Sequence, residues 1–412
     1  SPSPSPPHHH HHHHKHHRHH HNNSHHKHHH HQHDHNIPSA PFYSIHSHRL
    51  LICILLLAAN YFSGANTLAM STAVVCMVNA TLVPEKLVSE GDQRCEIRYN
   101  NSSSAEKEFA IPGTLDWSPS EQSLLVSARF YGGLQKIAFS GFVADRLGPD
   151  LVLTGTLLAS SALTLSIPLL AYANFYVLVG SHVIIGGIES FHMPSVNCIA
   201  SRWFPPGERT IASSIFTIGI QLSGGLSSLF AASLCRSSTF GGWPSIFYIF
   251  GGSCCIFTLA WAIFGTGGPS KNRWLGERER QFLDSTLTNK KTKKRKSIST
   301  RMLLASPLHS ILLCNFSFAF SSSIMRSFLP LFLRDLGLPI DVIGWYVLSV
   351  FLSQIAGKML LGPFIDFCTG KGFVSLQRTI KIAQAVGSCG STVALMLLAV
   401  IPTCTNTTSA LY

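Results

Sequence analysis

Charge is scarce in this chain. Asp, Glu, Lys and Arg together make up 12% of its 412 residues, about half the ~25% found in soluble domains. An ordinary soluble enzyme is therefore excluded as the first reading, and a hydrophobic content of 45% agrees. No GxxxxGK[ST] run is present, so the phosphate cradle of an ATP-driven pump is missing. Nothing resembles a hydrolase triad, and the chain is read as a non-enzyme without a cofactor. The eleven cysteines form no CxxC pair, which leaves no metal site of that kind. Most cysteines lie in apolar windows, where Cys behaves as a small hydrophobe. Cys95, Cys235 and Cys404 fall in polar segments, and a Cys95 to Cys235 disulfide is one available pairing.

Leu and Val are nearly absent from residues 1–48, which instead run through His8 to His14, His16, His17, His19 to His21, His25, His26, His28 to His31, His33 and His35. Imidazoles ligate zinc, copper and nickel, so a metal-handling tail is one reading. No fixed ligand spacing appears, and a disordered low-complexity terminus is the plainer one. Lys15, Arg18, Asn22 and Asp34 interrupt the run, unlike an expression tag.

The rest of the chain is built of long apolar windows near the ~20 residues that cross a ~30 Å hydrocarbon core. A transmembrane barrel is disfavoured by windows this continuous. The fold class is an all-α polytopic membrane protein. Nine spans are expected: 50–78, 119–143, 151–171, 175–200, 209–233, 244–266, 309–333, 341–365 and 377–401. The domain reading is a tail at 1–48, a six-helix bundle at 49–266, a basic loop at 267–308 and a partial second bundle at 309–412.

Lys and Arg set the orientation, because positive charge is retained on the cytoplasmic side. Arg146, Arg202, Arg209, the cluster from Lys271 to Arg301, Lys371 and Arg378 all fall inside if the N-terminus is cytoplasmic, whereas the outside segments 172–174, 234–243 and 334–340 hold only Arg236 and Arg334. The glycosylation sequons at Asn79, Asn100, Asn101 and Asn406 then lie outside. The +12 net charge is thereby explained by a cytoplasmic loop, and no nucleic-acid partner is expected.

An internal repeat closes two of the spans. Gly141-Phe-Val-Ala-Asp145-Arg146-Leu-Gly148 is echoed by Gly362-Pro-Phe-Ile-Asp366-Phe-Cys-Thr-Gly370-Lys371, both on the cytoplasmic side. Asp145, Arg146 and Asp366 are the gating candidates, able to cap helix ends or pair across the bundle. Two halves with this loop, joined by a long basic connection, resemble the major facilitator superfamily. Within it the chain is similar to the anion:cation symporter branch, which includes sialin and the vesicular glutamate and type I sodium-phosphate transporters. The matching segments include Cys76-Met77-Val78-Asn79, Trp117-Ser118-Pro119, Phe130-Tyr131-Gly132, the stretch Ser201 to Arg209, Gly242 to Gly251, Pro269 to Trp274, Ser306-Pro307-Leu308-His309 and Leu329 to Leu333.

The resemblance implies a secondary active transporter, a proton- or sodium-coupled symporter of a small organic or inorganic anion, in the plasma membrane or a vesicular or lysosomal membrane. The alternative is a non-transporting or regulatory relative, because the branch's cations are replaced. Its first-span Arg aligns with Thr67, its fourth-span Arg with His182, its fourth-span His with Asn197 and its seventh-span Arg with Phe318, while its Glu is kept as Glu189. The branch has twelve spans, so the last three are expected to be missing from an incomplete gene model.

Intramembrane ionisable residues serve substrate or coupling ion by default. Glu189 is the coupling-ion candidate, or else one half of a structural ion pair with Arg129, Lys136 or Arg326. Arg129 and Lys136, seven residues apart on one helical face, are replacement cations for an anion, unless they snorkel or neutralise a neighbouring acid. Arg326 and Lys358 are secondary candidates. His182 and His192 are polar contacts between helices or members of a proton relay.

Overall fold

The computed structural model describes residues 43, 47–78, 113–134, 137–205, 208–236, 241–288, 306–335, 340–370 and 376–400. Twelve α-helices occur among them: α1 His48–Met77, α2 Pro119–Leu134, α3 Ile137–Leu147, α4 Pro149–Ala173, α5 Phe175–Glu189, α6 His192–Trp203, α7 Arg209–Arg236, α8 Pro244–Phe264, α9 Glu277–Thr288, α10 Ser306–Asp335, α11 Ile340–Gly370 and α12 Leu376–Val400. No strand occurs among the described residues, only an isolated bridge between Val78 and Leu115. The described residues are thus an all-helical fold.

Nine expected spans correspond to these helices, but not one to one. Among the described residues six helical segments are long and apolar enough to cross a membrane unbroken: His48–Met77, Pro149–Ala173, Ile211–Cys235, Pro244–Phe264, Leu308–Leu333 and Val342–Leu361. The second span is divided into α2 and α3, and the fourth into α5 and α6. The second of these divisions has a readable cause. Pro194 lacks the N–H that would donate to the carbonyl of Ser190, and its ring crowds that carbonyl, so the helix stops at Glu189 and restarts at His192. Between α3 and α4 the turn is made by Gly148 at φ 99°, followed by Pro149 at the first helical position.

The basic connection at 267–308 is more than a loop. It contains α9, preceded by a short 3₁₀ turn at Pro269–Lys271. Leu275, Glu279, Phe282 and Leu283 recur at helical spacing, and Leu275 and Leu283 join Ile52, Leu56, Trp203 and Phe216 in one apolar cluster. The helix is therefore packed into the first bundle.

That cluster fills one end of the first bundle. A second fills the other end, formed by residues such as Met70, Val74, Leu125, Ile167, Leu178, Ala231, Trp243 and Phe247. Between the two apolar layers the same helices switch to polar side chains. Asn60, Ser63 and Asn66 on α1, Ser160, Ser161 and Thr164 on α4, and Gln221, Ser223 and Ser227 on α7 are all buried there. This polar belt at mid-height holds the candidate site.

Cys76 and Cys235, in the last turns of α1 and α7, form a disulfide with their Cα atoms 6.1 Å apart. The pairing replaces the Cys95 to Cys235 expectation; Cys95 itself lies outside the described residues. The reason is that α1 and α7 pack side by side, bringing both ends together. From mid-height toward that end α7 packs on α11: Gly224 and Gly225 face Phe351 and Leu348, and Gly344 faces Leu229 and Ala232.

Candidate functional site

The site grows from the contact of α2 with α5. A Cβ at Gly132 would collide with the backbone of Val183, and one at Gly186 with the backbone of Arg129. Two glycines thus let the backbones touch, which delivers the Arg129 side chain from α2 into the polar belt.

Glu189 is the last residue of α5. A carboxylate at a helix C-terminus faces the negative end of the dipole, and this one needs a cation. Arg129 supplies it: Nη1 lies 3.5 Å from Glu189 Oε1 and donates to the Asn66 carbonyl at 3.1 Å. The side chains are 8% and 12% exposed respectively, so the pair is sheltered and open on one side. On that side the Thr67 hydroxyl lies 3.2 Å from Glu189 Oε2 and 2.9 Å from the Ser63 carbonyl, so its single proton is shared between the two acceptors. Arg129 Nη2 is buried without a hydrogen-bond partner among the described residues.

Two histidines flank the pair on the same line of helices. His182 Nδ1 is 3.1 Å from the Leu178 carbonyl, which can only accept, so the ring carries its proton on Nδ1. Its Nε2 is buried and unpartnered among the described residues. His192 Nε2 is 3.0 Å from Asn60 Oδ1, and the Asn60 amide is oriented by its own donation to the Phe216 carbonyl at 2.9 Å. His192 therefore donates from Nε2 and leaves Nδ1 unpartnered.

The other expected residues are distributed differently. Asp145 accepts from Arg202 Nη2 at 3.3 Å, a contact between α3 and α6. Arg146 does not pair with it; its guanidinium lies over the Phe142 ring at 4.4 Å, exposed. Asn197 and Lys358 are exposed, and Phe318 is 70% exposed. Lys136, Asn79, Asn100, Asn101, Asn406, the His-rich tail and Lys290 to Lys296 lie outside the described residues, as do the side chains of Arg326 and Asp366.

A buried ion cluster went unread in the sequence. Arg49 is fully buried at the start of α1, where it pairs with Glu208 through Nη1 and with Glu279 of α9 through Nε at 2.8 Å. Glu279 also accepts from the Ser47 hydroxyl at 3.0 Å and from the backbone N–H groups of His48 and Arg49 at 3.0 and 3.2 Å. The Phe282 ring covers the guanidinium at 4.8 Å. Burial pushes the Glu279 carboxyl up, but the hydrogen bonds from Arg49, His48 and Ser47 outweigh it and hold the group below its ordinary value. The signal for α9 was present as Leu275, Glu279, Phe282 and Leu283 at helical spacing. No pattern connected it to Arg49.

A family model of the Major Facilitator Superfamily matches residues 50–412. The chain is 26% identical over 394 residues to the "Uncharacterized transporter slc-17.3" of Caenorhabditis elegans, covering 90% of this chain and 73% of that one. It is 27% identical over 352 residues to the human "Sodium-dependent phosphate transport protein 3", covering 83% and 78%. The "Probable small intestine urate exporter" of Mus musculus is 26% identical over 362 residues, covering 87% and 73%. Among solved structures, a D-xylose-proton symporter aligns at a TM-score of 0.46 and 14% identity, over 79% of this chain and 70% of that one. With a family model spanning nearly all of the apolar chain, the protein belongs to the Major Facilitator Superfamily.

Proposed function

We propose that the protein is a secondary active transporter that carries a small organic or inorganic anion by alternating access, with Arg129 as the anion's anchor and Glu189 as the coupling-ion residue. The carrying observation is the Arg129–Glu189 pair in the polar belt, with Arg129 Nη2 unpartnered among the described residues. Thr67 stands where the branch places an Arg, and it touches the same carboxylate. A cation from the second span thus serves the region left by the first-span Arg. Relatives named for sodium-dependent phosphate transport and for urate export support a small anion as cargo.

Charge balance supplies the coupling. The empty pair is neutral. An anion on Arg129 alone leaves a net negative charge, and a proton or sodium ion on Glu189 alone leaves a net positive one. With both loaded the site is neutral again. Moving an uncompensated charge through a low-dielectric bundle is costly, so the empty and doubly loaded forms are the ones able to change conformation. The disulfide supports an oxidising compartment at its end of the bundle and a cytoplasmic N-terminus. Asp145, held by Arg202, is the gating residue at the cytoplasmic end.

Uptake of labelled phosphate and urate into proteoliposomes tests this reading. Glu189→Gln should retain exchange and lose gradient-driven accumulation, and Arg129→Gln should lose both. Accumulation by Glu189→Gln with wild-type pH and sodium dependence would sink the coupling role. Poor expression of Glu189→Gln, rescued by adding Arg129→Gln, would make the pair structural. The second reading, a relative without transport, is favoured by Phe318, an apolar residue at the position of a branch cation. Absence of uptake by a well-folded wild-type protein would select it.

A further inference from the structure

A groove between α3, α4 and the break joining α5 to α6 is left unused by the transport reading. Val143 and Leu147, Val152 and Gly155, and Ile188 and Phe191 line it, and its volume is about 270 Å³. Its one hydroxyl, on Thr156, already donates to the Val152 carbonyl at 2.8 Å. The wall therefore offers no free donor to a polar ligand. A Cβ at Gly155 would meet nothing within 4 Å, so the floor there is open. The apolar surface continues outward through Leu147 and Phe142, which are 65% and 58% exposed.

An exposed cation is the immediate sequence neighbour of a lining residue. Arg146 adjoins Leu147, is exposed, and makes no ion pair among the described residues; its guanidinium rests on Phe142. Its neighbour Asp145 is already engaged by Arg202. A polypeptide segment in such a slot would leave its backbone groups unpaired, and an uncharged apolar molecule would make no use of the cation. The complementary ligand has a long apolar chain and an anionic head.

We propose that this groove binds one acyl chain of an anionic glycerophospholipid, with the phosphate seated on Arg146. Basic positions at the edges of membrane helices attract such head groups, and the chain would pack on Ile188 and Phe191, to either side of Glu189. Bilayer composition thereby acts beside the ion-pair helix.

The test uses the full chain, purified in detergent, exposed to equal amounts of phosphatidylglycerol and phosphatidylcholine, washed, and analysed for retained lipid by mass spectrometry. Phosphatidylglycerol should be enriched about fivefold, as one Arg at an anionic surface provides. Arg146→Gln should abolish the preference. Gly155→Leu should fill the groove and release the lipid, while Gly180→Leu, also in open space but elsewhere on α5, should retain it. Val152→Phe provides a second filling variant should Gly155→Leu fail to elute as a monodisperse species. Equal retention of both lipids by wild type, or equal phosphatidylglycerol retention by the filling variants and Gly180→Leu, would overturn the proposal. Displacement of the lipid by an equal concentration of oleate would overturn the phospholipid as occupant and assign a free fatty acid.

Discussion

Replacing Arg49 with alanine should destabilise the first bundle more than removal of any surface cation. The guanidinium is fully buried and faces two carboxylates, Glu208 at 23% and Glu279 at 9% side-chain exposure. Breaking a buried ion pair from one side costs about 3–5 kcal/mol, because the remaining charge is left uncompensated. Glu279 would keep its backbone and Ser47 donors and Glu208 can turn toward water, which places the expected loss near the lower bound, about 3 kcal/mol. Arg49→Lys retains the charge but cannot serve two carboxylates in the same fork geometry, so its loss should be about 1.5–3 kcal/mol, that of one hydrogen bond to a charged group. The double variant Arg49→Met with Glu279→Gln should recover part of the loss, since no unpaired charge stays behind at Glu279. Reversible unfolding of the full chain in mixed micelles, followed by tryptophan fluorescence, measures all three. A loss below about 1 kcal/mol for Arg49→Ala would equal that of an exposed pair and would refute the argument that the cluster fastens α9 to the bundle.

Glu279 adds a pH dependence whose sign follows from its depressed folded value. Its contribution is present above the ordinary carboxylate value of 4.5 and is lost as pH falls through the lower folded value; unfolding midpoints from pH 7 to 3 should show this component in wild type and not in Glu279→Gln. Peptide mapping without reductant should recover a cross-link between the peptides of Cys76 and Cys235, and recovery of Cys95 with Cys235 instead would contradict the fold at that end. Gly186→Ala should cost about 1–3 kcal/mol by forcing α2 from α5 and should also lower anion uptake, whereas Gly155→Ala should do neither; equal behaviour of the two would deny that the close contact positions Arg129.

Much of the architecture was legible in the chain itself. Apolar windows of membrane-spanning length, the distribution of Lys and Arg, and the repeated Gly-to-Asp loops at Asp145 and Asp366 are local or periodic features. The windows specify helices, because a bilayer leaves the backbone few other ways to satisfy its hydrogen bonds, while the Lys and Arg distribution and the repeated stretches carry the expected orientation and two-halved plan. Glu189 was identifiable for the same reason: an acidic residue within an apolar span is conspicuous wherever its partner lies. The branch's altered positions were also visible, Thr67 among them.

Partnership was decided by tertiary structure. Arg129, Lys136 and Arg326 were equivalent cations for Glu189 until Gly132 and Gly186 brought α2 against α5. Cys76 looked like a buried hydrophobe because nothing local shows that α1 and α7 end side by side. Arg49 precedes the first expected span with nothing local to show its partners, yet it is fully buried because Glu208 and Glu279, 159 and 230 residues away, converge on it. Helical periodicity constrains neighbours three and four residues apart, whereas these contacts depend on how separate helices pack, which the spacing of residues along one helix does not encode.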